Sequence, residues 1–201
     1  MMYQQFFKPL WEWLFALLGL LFFLPLLIVL TLFLGFYYRG NPFFVQKRIG
    51  KHNRGFKILK LKTMRNPRQD ELGHHGTMNR VTPFGAFLRN SSLDELPQLL
   101  NVLMGQMSII GPRPLLEEYL PLYNSHQIRR HEVKPGITGL AQISGRNAIS
   151  WQEKFALDVE YVDQLSFKLD LNIFFKSLLK PFDRTGIYNS QDAVLPFDGT
   201  N

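Results

Sequence analysis

Cysteine is absent from the sequence. That excludes a disulfide framework and any thiolate-held metal centre, and it fits a reducing compartment. Also missing are a phosphate-binding P-loop, the glycine pattern of a dinucleotide site and a Gly-x-Ser-x-Gly nucleophile turn. No internal repeat or low-complexity tract occurs. Charge is missing altogether from Trp13 to Tyr38, and acidic residues are scarce where basic ones crowd. From Arg39 to Arg80 there are 11 Lys and Arg residues against only Asp70 and Glu71, whereas from Val81 onward acids slightly outnumber bases. The net charge of +7 is therefore a local feature that follows the apolar run.

What is present is a chain of 201 residues, enough for one compact domain and an anchor. As a straight helix the uncharged run would reach about 39 Å, against about 30 Å of bilayer hydrocarbon. It is too long for a signal-peptide apolar region, and no small-residue cleavage site follows it. Trp11 and Trp13 flank one end and Tyr37, Tyr38 and Arg39 the other, as at membrane interfaces. Pro25 sits near the middle and removes a backbone donor. Two readings follow: a single span, or a segment that bends at Leu24-Pro25 and leaves on the side it entered. Each half of the bent form would be about 18 Å long, too short to cross. The basic stretch places the following body in the cytoplasm under both readings. That stretch would attract anionic headgroups by about 1 kcal/mol per residue. It lacks the interleaved aromatics of a single-strand nucleic-acid platform, so no nucleic-acid partner is expected.

Beyond Asn41-Pro42 the pattern predicts an α+β, mainly helical body. Phe43–Val45 and Phe56–Lys62 read as two strands of a hairpin turning through Gly50–Gly55, with the lysines of the second strand projecting to solvent or ligand. Asn66–Asn79 reads as a loop, Pro83–Leu88 as a helix start, Leu96–Met104 as a helix, and Leu115–Arg130 as another. Pro135-Gly136 opens a loop. Trp151–Gln164 is an amphipathic helix. Phe167–Phe182 places Phe167, Leu171, Phe174, Phe175, Leu178 and Phe182 on one face with lysines at its edges, the pattern of a helix lying in a membrane interface. The predicted division is 1–40 membrane helix and anchor, 41–185 body, and 186–201 a loosely held tail.

The carboxylate pair Asp94-Glu95 has two readings. Ser92-x-x-Glu95 is a capping box, which makes the pair a helix start. That register puts Pro97 where its missing N–H breaks a helical bond. A helix capped by Asp94 instead puts Pro97 in the first turn, where it is tolerated. Free N–H groups there would favour anions, including phosphate. Adjacent carboxylates need counter-charge to stay ionised together; Lys60, Lys62, Arg89, Arg113 or a Mg²⁺ ion could supply it. A carboxylate can also attack phosphorus to give an acyl phosphate. Gly111-Pro112-Arg113-Pro114 braces one arginine between two prolines, suited to a phosphate contact or to a plain turn. His74-His75 and His126/His131 have poor spacing for a metal.

Taken together these pieces resemble the bacterial sugar transferase family, the monotopic phosphoglycosyl transferases. The resemblance runs from about Phe7 to Lys180. It rests on Phe43–Gly50, Phe56–Lys60, Arg80–Arg89, Ser92–Leu99, Met107–Pro114 and Lys134–Gln142, in matching order and spacing. It implies a re-entrant membrane helix and a bacterial inner-membrane enzyme on the cytoplasmic face. It further implies that Asp94 attacks the β-phosphate of a UDP-sugar, releasing UMP, and that undecaprenyl phosphate then takes the sugar phosphate. Glu95 completes the dyad, Mg²⁺ sits with Asp94, and Lys60, Arg89, Arg113, Gln142 and Arg146 bind substrate. Membrane lipids are the remaining partner. The short chain is similar to the small members that transfer N,N′-diacetylbacillosamine phosphate, so a UDP-N-acetylated sugar is the expected donor. Leu24-Pro25 stands where the family has Ser-Pro, and Lys62 where it often has Arg. The competing expectation is a non-enzymatic basic adaptor on anionic lipid.

Overall fold

The computed structural model describes residues 2–67, 80–145, 148–179 and 196–201. A short π-helical turn, Tyr3–Phe7, leads into helix α1, Lys8–Tyr37. Pro9 lies in the first turn of α1, where its missing donor is harmless. Pro25 does not end the helix, which continues to Tyr37. α1 is long and apolar enough to cross a membrane. Only one stripe of it is buried: Lys8, Glu12 and Ala16 in the first half, then Leu27, Leu30 and Leu34 in the second. Elsewhere large apolar side chains stand outside, Phe22 at 78% and Phe36 at 87% exposure.

The buried stripe packs on the body along its whole length. Ala16 joins Ile58, Val102 and Met107. Leu27, Leu30 and Leu34 join Leu61 and Leu88. Past the helix, the Tyr38 hydroxyl lies 2.9 Å from Thr82 Oγ1. At the beginning, Lys8 Nζ donates to Glu12 Oε1 at 2.8 Å, to Asp170 Oδ2 at 2.7 Å and to the Ile110 carbonyl at 3.0 Å. Glu12 in turn accepts from Ser108 Oγ and the Ile110 N–H. Asp170 accepts from the hydroxyls of Tyr3 and Tyr161. Buried charge persists only where it is paired and hydrogen-bonded, and each of these three ions has several partners. Both ends of α1 therefore touch one body.

Strands β1, Phe43–Ile49, and β2, Gly55–Leu61, form the expected antiparallel hairpin, with Phe43 opposite Leu61 and Ile49 opposite Gly55. Its turn uses His52 and Asn53 at φ 56° and 60°. Lys60 has the parity of Phe56 and Ile58, and of the two sides expected for the strand's lysines, solvent or ligand, it takes the cleft. α2 spans Pro83–Asn90, begun by Thr82, whose Oγ1 accepts from the Gly85 N–H. A 3₁₀ turn, Leu93–Glu95, precedes α3, Gln98–Leu103.

β3, Ser108–Ile110, pairs in parallel with β4, Gly136–Thr138, inside what the sequence presents as loop. Glycine permits this close approach. A Cβ on Gly136 would stand 2.1 Å from the Gly111 nitrogen, and one on Gly139 2.2 Å from the Gly111 oxygen. The stretch expected as a helix over Leu115–Arg130 is instead two 3₁₀ segments, Glu117–Leu122 and Gln127–Glu132. Pro121 cannot donate, and Asn124 Oδ1 takes the N–H groups of His126 and Gln127, restarting the chain there. The short helix α4, Leu140–Ser144, then leads toward α5, Trp151–Gln164, which carries a full Ser150/Glu153 capping box. α6, Phe167–Leu179, leaves Phe167, Leu171, Phe175 and Leu178 exposed; Lys180 and Phe182 lie outside the described residues. The end of the tail is held, not loose: Phe197 is buried among Tyr119, Tyr123, Trp151 and Phe155, and Gln152 donates to the Thr200 carbonyl.

Candidate active site

Asp94 and Glu95 sit on the 3₁₀ turn between α2 and α3. Neither sequence register for the helix start holds. Ser92 has φ 57° and its side chain caps nothing, and Pro97, not Asp94, is the N-cap of α3. The turn closes on its own backbone instead, through Glu95 N–H to Ser92 carbonyl and Leu96 N–H to Leu93 carbonyl. Glu95 is thus released from any capping duty.

Glu95 turns to cations. Its Oε1 accepts from Lys60 Nζ at 2.5 Å and from Arg113 Nη2 at 2.9 Å. Burial pushes this carboxyl up, but the Arg113 and Lys60 charges outweigh it and hold it at about 2. Asp94 is the opposite case. It is 7% exposed, and among the described residues its carboxylate makes no hydrogen bond or ion pair. Burial is the main reason that its pKa stands at about 6; the Glu95 charge adds to this, while Lys60, Arg89 and Arg113 oppose it. Two adjacent carboxylates are therefore driven apart in acidity, the pattern of a site with divided roles.

The cations are positioned by neutral partners. Asn101, fully buried, accepts from the Leu59 N–H and donates to the Lys57 carbonyl, which fixes the stretch of β2 that leads into Lys60. Arg89 Nε donates to Thr63 Oγ1 at 2.9 Å. The loop around Arg113 has its carbonyls tied in succession: Pro112 by the Gly136 N–H, Arg113 by Arg130, Pro114 by Arg48 and Leu115 by the Ile49 N–H. Arg130 is itself buried against Asp158 at 2.8 Å. The two prolines stiffen this loop as expected, but most of its order comes from these four acceptors.

Asp94, Glu95, Lys60, Arg89, Arg113 and Gln142 all line one cleft of about 1470 Å³. Gln142 Nε2 donates to the Ile137 carbonyl at 3.3 Å, and its buried Oε1 has no partner among the described residues. Arg146 lies outside the described residues, as do His74 and His75. Lys62, offered as counter-charge, instead pairs with Asn66 at 2.6 Å. The sequence reading missed Asn101, Thr63 and Arg48. Asn101 left a signal, a lone amide inside the apolar run Leu99–Leu103. The cleft continues past the charged residues to Phe15, Phe23, Phe174 and Leu178 of α1 and α6.

No group of three His, Asp or Glu side chains converges among the described residues. A magnesium ion needs only one or two carboxylates when phosphates complete its shell. The unpaired Asp94 beside a cation-lined cleft fits that donor set.

Comparison with known proteins identifies the family. Residues 3–184 match the model of the family described as bacterial sugar transferase. The chain is 51% identical over 156 residues to a sugar transferase of Bacillus subtilis, EpsL, covering 77% of each. It is 39% identical over 180 residues to the exopolysaccharide production protein ExoY of Rhizobium meliloti, covering 81% of this chain and 80% of that one. It is also 39% identical over 184 residues to the UDP-glucose:undecaprenyl-phosphate glucose-1-phosphate transferase of Escherichia coli, covering 86% of this chain but 39% of that protein. With the family match over residues 3–184 running through α1, the carboxylate pair and the braced arginine alike, this chain belongs to the bacterial sugar transferase family.

Proposed function

We propose that this protein transfers a sugar 1-phosphate from a UDP-sugar to undecaprenyl phosphate, by way of a phosphosugar ester on Asp94. The observation that carries the reading is the unequal treatment of the two carboxylates: Glu95 is spent on Lys60 and Arg113, while Asp94 is left unpaired in the cleft. In the first step an Asp94 oxygen bonds to the β-phosphorus, and the bond from that phosphorus to the bridging oxygen breaks. UMP leaves with the electron pair. In the second step an oxygen of undecaprenyl phosphate bonds to the same phosphorus, the acyl phosphate breaks and the Asp94 carboxylate returns. Glu95 positions Lys60 and Arg113, and these cations with Arg89 and Gln142 hold the donor. Asp94 would hold a magnesium ion, which would supply charge to offset the donor's phosphates. A buried nucleophile at about 6 is ionised at neutral pH yet poorly solvated, which favours attack.

α1 is read as re-entrant and the body as lying on the cytoplasmic face. The support is that Lys8 and Tyr38, at opposite ends of a helix about 45 Å long, both contact the same body. The apolar end of the cleft, between α1 and α6, offers the polyprenyl chain a route from the bilayer. The basic-adaptor reading is the weaker one, because Lys60 of the basic stretch is turned to an internal carboxylate in the cleft and the relatives are named as transferases.

The sugar is decided by assay. The resemblance points to an N-acetylated sugar such as N,N′-diacetylbacillosamine, whereas the relatives named for one sugar are named for glucose or galactose. A panel of UDP-sugars scored by UMP release, with Asp94→Asn as control, tests the reaction. Incubation with donor and no acceptor should add one sugar phosphate to the peptide that carries Asp94. A fully active Asp94→Asn enzyme, or an adduct elsewhere, refutes the covalent role.

A further inference from the structure

Arg48 is a guanidinium that the proposed chemistry has not used. It lines the same cleft as Asp94 and Arg113. Its Nη2 donates to Gln46 Oε1 at 2.7 Å, its Nη1 reaches the Pro114 carbonyl at 3.5 Å, and its buried Nε has no partner among the described residues. Among the described residues no carboxylate pairs with it. By contrast Arg130 has Asp158, Lys60 has Glu95, and Lys8 has Glu12 and Asp170. Burial, reinforced by the Arg113 charge, lowers the Arg48 guanidinium to about 10. Arg48 feels the Arg113 charge, Glu95 is already shared between Arg113 and Lys60, and Glu118 acts on Arg48 without pairing with it. An anion between the two arginines would offset their like charges, and a planar guanidinium is suited to phosphate.

The position of Arg48 says which phosphate. Its electrostatic neighbours are Glu118, Tyr119 and Tyr123. These rings belong to the cluster around Phe155 and Phe197, which contains no residue of α1 or α6. The polyprenyl chain has to reach the cleft from the α1 and α6 end, so Arg48 faces the opposite, water-borne substrate. We infer that Arg48 and Arg113 form the subsite for the phosphate that stays with the nucleoside, the one that departs as the monophosphate. Arg48 then receives charge as the phosphorus–oxygen bond breaks. Its hold on Pro114 makes the same residue brace Arg113.

This subsite rests on the proposed reaction, and one experiment separates the two. UMP binding is measured by titration calorimetry on the full chain in detergent micelles, for wild type, Arg48→Gln and Arg48→Lys. The expected result is UMP binding weaker by about ten- to a hundredfold in Arg48→Gln, as for a lost charge-assisted contact, and by less in Arg48→Lys. KM for undecaprenyl phosphate and the thermal midpoint stay within twofold and about two degrees of wild type. An unchanged UMP affinity in Arg48→Gln overturns the assignment. So does a loss confined to the KM of the lipid acceptor. A common fall in midpoint and every constant, in both variants, reduces Arg48 to a brace for the Pro114 loop. If wild type itself neither binds UMP nor releases it from any donor, the proposed reaction fails first.

Discussion

The acidity of Asp94 should be visible in the first half-reaction. At a pKa of about 6, Asp94 is about nine-tenths ionised at pH 7 and one-tenth at pH 5, so kcat/KM for the UDP-sugar should fall about tenfold between them. The measurement should be of UMP burst release without acceptor, because the second ionisation of a phosphate monoester, near pH 6, would otherwise overlay the same limb. Glu95→Gln separates the causes. It removes the like charge and frees Lys60 and Arg113 to favour the Asp94 anion, so the acid limb should move to lower pH even as the maximal rate drops. The rate is expected to fall because Lys60 at 2.5 Å and Arg113 at 2.9 Å lose their common anchor. A burst rate flat from pH 7 to pH 5 in wild type, or a limb that moves upward in Glu95→Gln, refutes the reasoning.

Other consequences can be checked on the same preparations. The Asp94 pKa is higher in the folded chain, about 6, than its ordinary 3.8, so ionisation opposes folding. The penalty is complete above pH 6, disappears as pH falls to 3.8, and amounts to about 3 kcal/mol at most. Asp94→Asn should therefore raise the thermal midpoint at pH 7 while abolishing turnover; a lowered midpoint would contradict this. Lys8→Met leaves Glu12 and Asp170 buried without their cation, at a cost of about 3–5 kcal/mol, measurable as a lower denaturation midpoint in detergent. Gly139→Ala would put a methyl 2.2 Å from the Gly111 oxygen; the displaced loop should reduce kcat far more than it reduces binding of the protein to vesicles.

Much of this architecture is legible in the sequence because it is local. Trp151–Gln164 carries its own capping box and amphipathic period, and the hairpin carries its own turn. Leu115–Arg130 misleads because its helical spacing is real, while Pro121 and the Asn124 side chain break it from within. The β3–β4 pair joins strands of three residues across a long separation, and its requirement is empty space at Gly111, Gly136 and Gly139, which spacing alone does not reveal. α1 hides its buried stripe because it is apolar on every side. Likewise the sequence sets Asp94 beside Glu95, but only the fold of β2 and the Arg113 loop decides which of the two is neutralised.

The docking of α1 also bears on how such a protein can be engineered and inherited. A hydrophobic tether can ordinarily be exchanged for another of similar length without disturbing the domain it carries. Here Leu27, Leu30 and Leu34 cover Leu61 and Leu88, and Ala16 covers Ile58, Val102 and Met107, while Lys8 and Glu12 complete a polar junction with Asp170. Each uncovered leucine would expose surface worth about 1.5–3 kcal/mol, against a total stability of about 5–15 kcal/mol for an ordinary domain. A version cut free of α1, or grafted to a foreign segment, would lose its shape before it lost its address. This long apolar helix is thus not a modular part, and it can drift or be replaced only in step with the body it covers.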